Sequence, residues 1–362
     1  MSRSDNDEEA FRNTITDLPH KSSSTTEAHA SPKKIPVASP SASILLISPS
    51  NRILLLHRVQ TSSSFASAHV FPGGHLSPQD GYLPPLEDIR RHEDSEAYRR
   101  AAIRECFEES GLLLAKRQDN PSELVELNEQ EREEGRKAIH SDSIPFAQWV
   151  QKRKGVIDAD GLVPFTRWLT PADIPKRFST QMYLYFLPID SQLSSKTDKT
   201  QMHIPTPDGG VEHTAAQFLY PQEWLDLTLR GDIVLYPPQF FLLHLVSAYL
   251  QPSPSNEQFI PTSELQSQRE RLLHFVKTDG DPPWSEKCIS PNPIKQIEKG
   301  KYLIMGMADV GPELEGTGRR GDKERVLRVE LMDEIERGRK RPSPQEVVWR
   351  RDVFLEESKL KL

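Results

Sequence analysis

Residues 101–114 read AAIRECFEESGLLL, an apolar-flanked stretch carrying three glutamates and one arginine. At about 100° per residue, Ile103, Cys106, Phe107 and Ser110 fall on one side of a helix, and Glu105, Glu108 and Glu109 fall on the other. Asp94 or Ser95 can cap the start, and Gly111 follows the last periodic turn as a stop. The ordinary meaning of such a face is a solvated surface. Yet Glu105 and Glu109 repel at i, i+4, a cost of about a few tenths of a kcal/mol. Carboxylates at this spacing also suit hard divalent cations, which bind through oxygen.

Within that stretch, RECFEESGL (Arg104 to Leu112) resembles the C-terminal half of the Nudix box, R-E-U-x-E-E-x-G-U with U apolar; Cys106 stands where Ile, Leu or Val is usual. Upstream, VFPGGH (Val70 to His75) resembles the strand and glycine loop that open the same box. Asp80 takes the place of the first Glu of the consensus, six positions after Gly74. Between Asp80 and Arg104 lie 23 residues where the consensus has seven, an insertion of 16. Loops tolerate added length at small entropic cost, so the box reads as split, and whether Asp80 still orients the helix is left open.

The order of motifs from about residue 43 to 245 is similar to a Nudix subfamily that includes coenzyme A diphosphatases. The resemblance implies an α/β fold, a mixed β-sheet sandwiched between helices, with a disordered N-terminal tail and a small C-terminal extension. It implies Mg²⁺ or Mn²⁺ held by Glu105, Glu108 and Glu109, with Glu105 as ligand or base and Arg104 fixing its orientation. Glu212 is a further candidate ligand or base, and Gly73 and Gly74 would turn the backbone sharply beside the substrate. Arg58, Arg167 and Arg177 are the basic residues nearest these motifs and the candidates for phosphate grip, although each alone is more often a surface arginine. His75 and His213 have no second ligand at metal spacing and read as bystanders.

The activity so implied is metal-dependent hydrolysis of the phosphoanhydride of coenzyme A or acyl-coenzyme A, giving 3',5'-ADP and (acyl-)4'-phosphopantetheine. The alternatives are an ADP-ribose or dinucleotide pyrophosphatase and a non-catalytic nucleotide sensor. The intact glutamate triplet argues against the sensor. The partner expected is a small nucleoside-diphosphate-linked molecule, and oligomeric state is not readable.

Outward from the motif, residues 1–40 are rich in Ser, Thr, Pro and charge and read as a disordered tail. Residues 41–250 read as the Nudix hydrolase domain, with the insertion at about 81–97, and residues 251–362 as an extension holding a β-hairpin and a helix. In the domain, ASILLISPSNRILLLHRV reads as a hairpin, and AHVFPGG as a strand stopped by Pro72 and the glycines. The hairpin of the extension pairs KYLIMGMAD with RVLRVELM.

The chain has 362 residues, 36% hydrophobic and 27% charged, and 30 prolines, so part of it is not expected to pack. Its net charge of −7 opposes a broad nucleic-acid surface, which needs a basic field. No stretch approaches the roughly 20 apolar residues that cross a bilayer, so no membrane partner is expected. Two cysteines, Cys106 and Cys288, are too few for a disulfide framework. The chain reads as soluble and intracellular, cytoplasmic or peroxisomal; its terminal Leu360-Lys361-Leu362 is a non-standard import signal.

Overall fold

The computed structural model describes residues 35–58, 68–189, 213–252, 260–334 and 339–353. The expected tail through residue 34, Glu212 and the terminal Leu360-Lys361-Leu362 lie outside the described residues. The apolar runs at the start of the domain form β1 (Ser39–Ile47) and β2 (Ile53–Arg58), antiparallel at Ile47–Ile53, with Asn51 at φ 59° in the turn. Strand residues alternate between faces. Ala42, Ile44 and Leu46 of β1 enter one buried cluster, and Leu45 and Ile47 enter the other.

Chain order then gives β3 (His69–Val70), β4 (Gly73–His75), α1 (Glu96–Ser110), β5 (Ala115–Arg117), α2 (Glu129–His140), α3 (Phe146–Lys152), β6 (Gly155–Ile157), β7 (Val163–Leu169) and β8 (Phe178–Phe186). It continues with β9 (His213–Leu219), α4 (Pro221–Leu229), α5 (Pro237–Ser247), α6 (Thr262–Thr278), β10 (Cys288–Ile289), β11 (Asn292–Ile297), β12 (Tyr302–Met307), β13 (Asp322–Glu334) and β14 (Arg339–Trp349). The main sheet runs β10-β7-β8-β1-β2-β3, with β4 on β1 and β9 on β2. It is mixed, because β1 and β8 pair parallel, as do β7 and β10, while the other pairs are antiparallel. Helices α1 to α3 cover one face; α4 to α6 share the core on the other, giving the α/β/α layering. No helix among the described residues is long and apolar enough to cross a membrane.

The glycines differ from expectation. Rather than ending a strand, Gly73 and Gly74 form β4 and pair with Ser43 and Ala42 of β1. A Cβ on Gly73 would lie 2.3 Å from the Ala42 carbonyl oxygen, at a φ of 155° that side chains rarely adopt, so only glycine permits the approach. The C-terminal hairpin is also larger than read. β12 and β13 are the middle of a four-stranded antiparallel sheet flanked by β11 and β14, and Leu303, Met305, Leu327 and Val329 join the same buried cluster as Leu45 and Ile47.

A buried arginine ties α6 to the first hairpin. Arg269 donates to Asn51 Oδ1, the Leu187 carbonyl and the Ser48 carbonyl, each at 2.8 Å, and the Asn51 amide donates to the Leu265 carbonyl and to Gln268 at 3.0 Å. Arg269→Met removes these donors and takes the partner from Asn51 Oδ1 and the Leu187 carbonyl, while the Ser48 carbonyl keeps the Asn51 N–H, so it is expected to destabilise the fold by about 3 kcal/mol, read as a lower urea midpoint. A midpoint equal to wild type would show that packing of Leu272, Phe275 and Val276 holds α6 unaided.

Candidate active site

Ser95 is the N-cap of α1, though its hydroxyl makes no capping bond, and Gly111 closes the helix in the left-handed region at φ 72°. The expected apolar side is buried: Ile103, Cys106 and Phe107 are at 0% exposure. The opposite side is not a solvated face. Glu109 is 6% exposed and accepts the Gly73 backbone N–H at Oε2, 2.8 Å away. Arg136 of α2, also buried, donates to the carbonyls of Glu108 (2.8 Å) and Glu109 (3.1 Å), satisfying the C-terminal end of the helix.

Arg104 organises the rest. A guanidinium has five N–H donors, and here five contacts use them. Nε and Nη2 fork onto the two oxygens of Asp80 at 2.9 Å, Nη2 also reaches the His75 carbonyl at 2.9 Å, and Nη1 bridges Glu105 Oε1 (2.9 Å) and Glu108 Oε1 (2.8 Å). Asp80 is 2% exposed and ends a short 3₁₀ turn, accepting the Ser77 N–H at 2.8 Å. The insertion therefore leaves the Asp80 end of the split box in place.

Glu105 lies against Gly74, where a Cβ would come within 2.5 Å of its carboxyl carbon. Burial, reinforced by the neighbouring charge of Glu108 and only partly offset by Arg104, pushes the Glu105 carboxyl up to about 7. A carboxyl poised there is suited to exchanging a proton near neutral pH. Among the described residues no three acidic, histidine or cysteine side chains already converge on one point as a metal cage; Arg104 occupies Glu105 and Glu108, and the Gly73 N–H occupies Glu109. The donor set still fits a hard cation. Two carboxylate oxygens share a single guanidinium nitrogen, and the like-charge pressure on Glu105 is what a divalent ion relieves.

Of the other expected residues, Gly73 and Gly74 touch the glutamates directly. Arg58 ends β2, paired with His213. Arg177 is buried, and its guanidinium is taken up by Thr170, Pro171 and Pro36 carbonyls and by Glu313. It ties the sheet to the C-terminal segment and does not turn its donors to the glutamates. Arg167 is buried over the Tyr98 ring at 4.5 Å, on the other flank of α1 from Gly74. Sequence reasoning missed Arg136, whose only signal is one buried arginine in an acidic helix. It also missed His92, which lies in the insertion and meets Ser179 Oγ at 2.9 Å.

Two buried histidines give a pH signature. Burial and the charge of His57 lower His69 to about 4, and burial and the charge of Arg167 lower His92 to about 4. Between about 6.5 and 4 the unfolded chain binds more protons than the folded one. Their contribution is therefore complete above 6.5 and lost as pH falls towards 4. Glu105, raised to about 7, acts in the opposite sense over the same range, so the histidine effect is read by comparison: the urea midpoint at pH 5 relative to pH 7.5 is expected to be higher in His92→Gln, which keeps a hydrogen-bonding side chain, than in wild type. Equal pH dependence in the two proteins would remove His92 from the account.

A fold of this layering, with a glutamate helix locked to a glycine strand by one arginine, resembles a Nudix domain. Residues 86–246 match the family model described as the NUDT19 Nudix domain. The chain is 28% identical over 204 residues to putative nudix hydrolase 7 of Caenorhabditis elegans, covering 56% of this chain and 58% of that protein. It is 26% identical over 248 residues to acyl-coenzyme A diphosphatase NUDT19 of Xenopus laevis, covering 57% and 61%. With the NUDT19 protein of Gallus gallus it shares 27% identity over 237 residues, covering 53% and 60%. The chain thus matches about three fifths of the length of these curated relatives. A solved NUDIX hydrolase from Alicyclobacillus acidocaldarius superposes with a TM-score of 0.47 at 19% identity, covering 59% of this chain and 93% of that one. Within the Nudix proteins the resemblance is to the NUDT19 branch.

Proposed function

We propose that the chain is a Nudix diphosphatase that hydrolyses the phosphoanhydride of coenzyme A or acyl-coenzyme A to 3',5'-ADP and (acyl-)4'-phosphopantetheine. The observation that carries the hydrolytic reading is the Arg104 node, which sets Glu105 and Glu108 side by side beside the Gly73-Gly74 strand. The resemblance to relatives named acyl-coenzyme A diphosphatase supports the substrate class.

Glu105, Glu108 and Glu109 would hold Mg²⁺ or Mn²⁺. What such an ion supplies is neutralisation of the diphosphate and a more acidic water. Glu105 is the group placed to take the proton of the attacking water as a P–O bond of the anhydride breaks and the bridging oxygen leaves with one product. Arg104 keeps the Glu105 carboxylate aimed, and the missing side chain at Gly74 leaves it room. The test is hydrolysis of coenzyme A and ADP-ribose side by side with saturating Mg²⁺. Faster release of 3',5'-ADP from coenzyme A is the expected result; faster turnover of ADP-ribose would overturn the substrate assignment.

A further inference from the structure

We infer that the chain carries a second anion site, separate from the glutamate helix, that receives the phosphoryl group of a phosphomonoester. It is a cleft of about 490 Å³ built where three parts of the chain meet. The insertion brings His92, Glu93 and Asp94; β7 and β8 bring Arg167 and Gln181; and the C-terminal segment brings Lys287, Cys288 and Arg319.

The key group is Arg167. Its side chain is 3% exposed and stacked on Tyr98, Nη1 donates to Ser179 Oγ at 3.1 Å, and Nη2 is buried with no hydrogen-bond partner. A buried guanidinium nitrogen left unpaired is costly, and one that lines a cleft together with Arg319 is a donor waiting for an acceptor. The acidic groups in the cleft do not supply it. Asp94 is taken by Arg99 (2.6 Å) and by the Tyr183 hydroxyl (2.5 Å), and Glu93 stands 3.7 Å from Arg319. Glu286 lines the same cleft without bonding Arg167. Two guanidiniums at one opening match the oxygens of a phosphate. The volume exceeds what an orthophosphate fills, so the phosphoryl group can arrive on an organic carrier.

The strand register places this site relative to the first. Gly74 pairs with Ala42, Ala42 with Gln181 and Gln181 with Arg167, one row across three strand spacings, about 14 Å. Ala42 in that row is fully buried with Ala101 and Ala102 of α1. The helix therefore lies between the two sites, and a short diphosphate at the glutamates does not pass beneath it to Arg167. The ligand is accordingly a separate molecule, rather than the remote phosphate of the substrate.

Calorimetric titration of the full chain with inorganic phosphate in metal-free buffer tests the site without relying on activity. The expected result is one saturable site in wild type and in Glu109→Gln, weakened about tenfold or more by Arg319→Ala and by Arg167→Gln. Arg319, with a side chain 34% exposed, is the substitution least able to disturb folding. Equal binding by wild type and Arg319→Ala would mean an adventitious ion only and would overturn the site, as would loss of binding in Glu109→Gln or no saturable binding at all. The same titration with coenzyme A and dephospho-coenzyme A separates the sources. Equal affinities uphold a separate ligand; a coenzyme A advantage of about tenfold that Arg319→Ala abolishes would assign the phosphate to the substrate and overturn the separate-molecule reading.

Discussion

Glu105→Gln is expected to slow hydrolysis of the preferred substrate by at least about 10²-fold, the scale of a lost general base, with little change in the thermal midpoint. The side chain is fixed through one strong contact, from Arg104 Nη1 at 2.9 Å, and an amide oxygen can keep that hydrogen bond. What the amide cannot do is accept a proton near pH 7 or present an anionic oxygen to a cation. Its neutral form removes the repulsion with Glu108 that helps push the Glu105 carboxyl up to about 7, so stability has no reason to fall. Glu129→Gln, at an exposed position of α2, serves as the control and is expected to keep full activity. If Glu105→Gln and Glu129→Gln were equally active, the glutamate helix would be a structural device alone, and a nucleotide-binding role without cleavage would replace the hydrolytic one.

What the sequence could and could not convey follows from the range of each signal. The 3.6-residue period of AAIRECFEESGLLL is local, and it carried the helix, its Gly111 stop and the separation of the apolar side from the glutamates. Burial of the glutamate side depends on β4, Asp80 and Arg136, all remote in the chain, so the 6% exposure of Glu109 could not be read from the helix alone. Gly73 and Gly74 were legible as a special backbone but not as a strand, because the groups that demand their lack of Cβ are about thirty positions away, Ala42 for Gly73 and Glu105 for Gly74. The surroundings of two arginines were not legible for a related reason. Their charge is visible in the sequence, whereas Arg177 against Glu313 and Arg167 over the Tyr98 ring are decided by which distant segments pack against them. Glu212 lies outside the described residues, and its role stays a proposal.

Arg104→Met is expected to cost about 3–5 kcal/mol of stability, the range for breaking a buried ion pair from one side, and to lower turnover as well. The substitution strands Asp80, 2% exposed, with a charge that no other cation among the described residues balances at hydrogen-bond distance, and frees Glu105 and Glu108 from a shared anchor. The two losses are separable. Adding Asp80→Leu removes the stranded carboxylate, so the double variant is expected to regain most of the stability measured by urea unfolding, since apolar replacement of a buried pair is often close to neutral. Turnover should stay low, because nothing restores the aim of Glu105. The Asp80 to Arg104 fork is the contact that joins the two ends of the split box across the 16 inserted residues. A double variant no more stable than Arg104→Met would break that link, placing the cost of the arginine's loss on Glu105 and Glu108 alone and leaving the position of Asp80 without influence on the site.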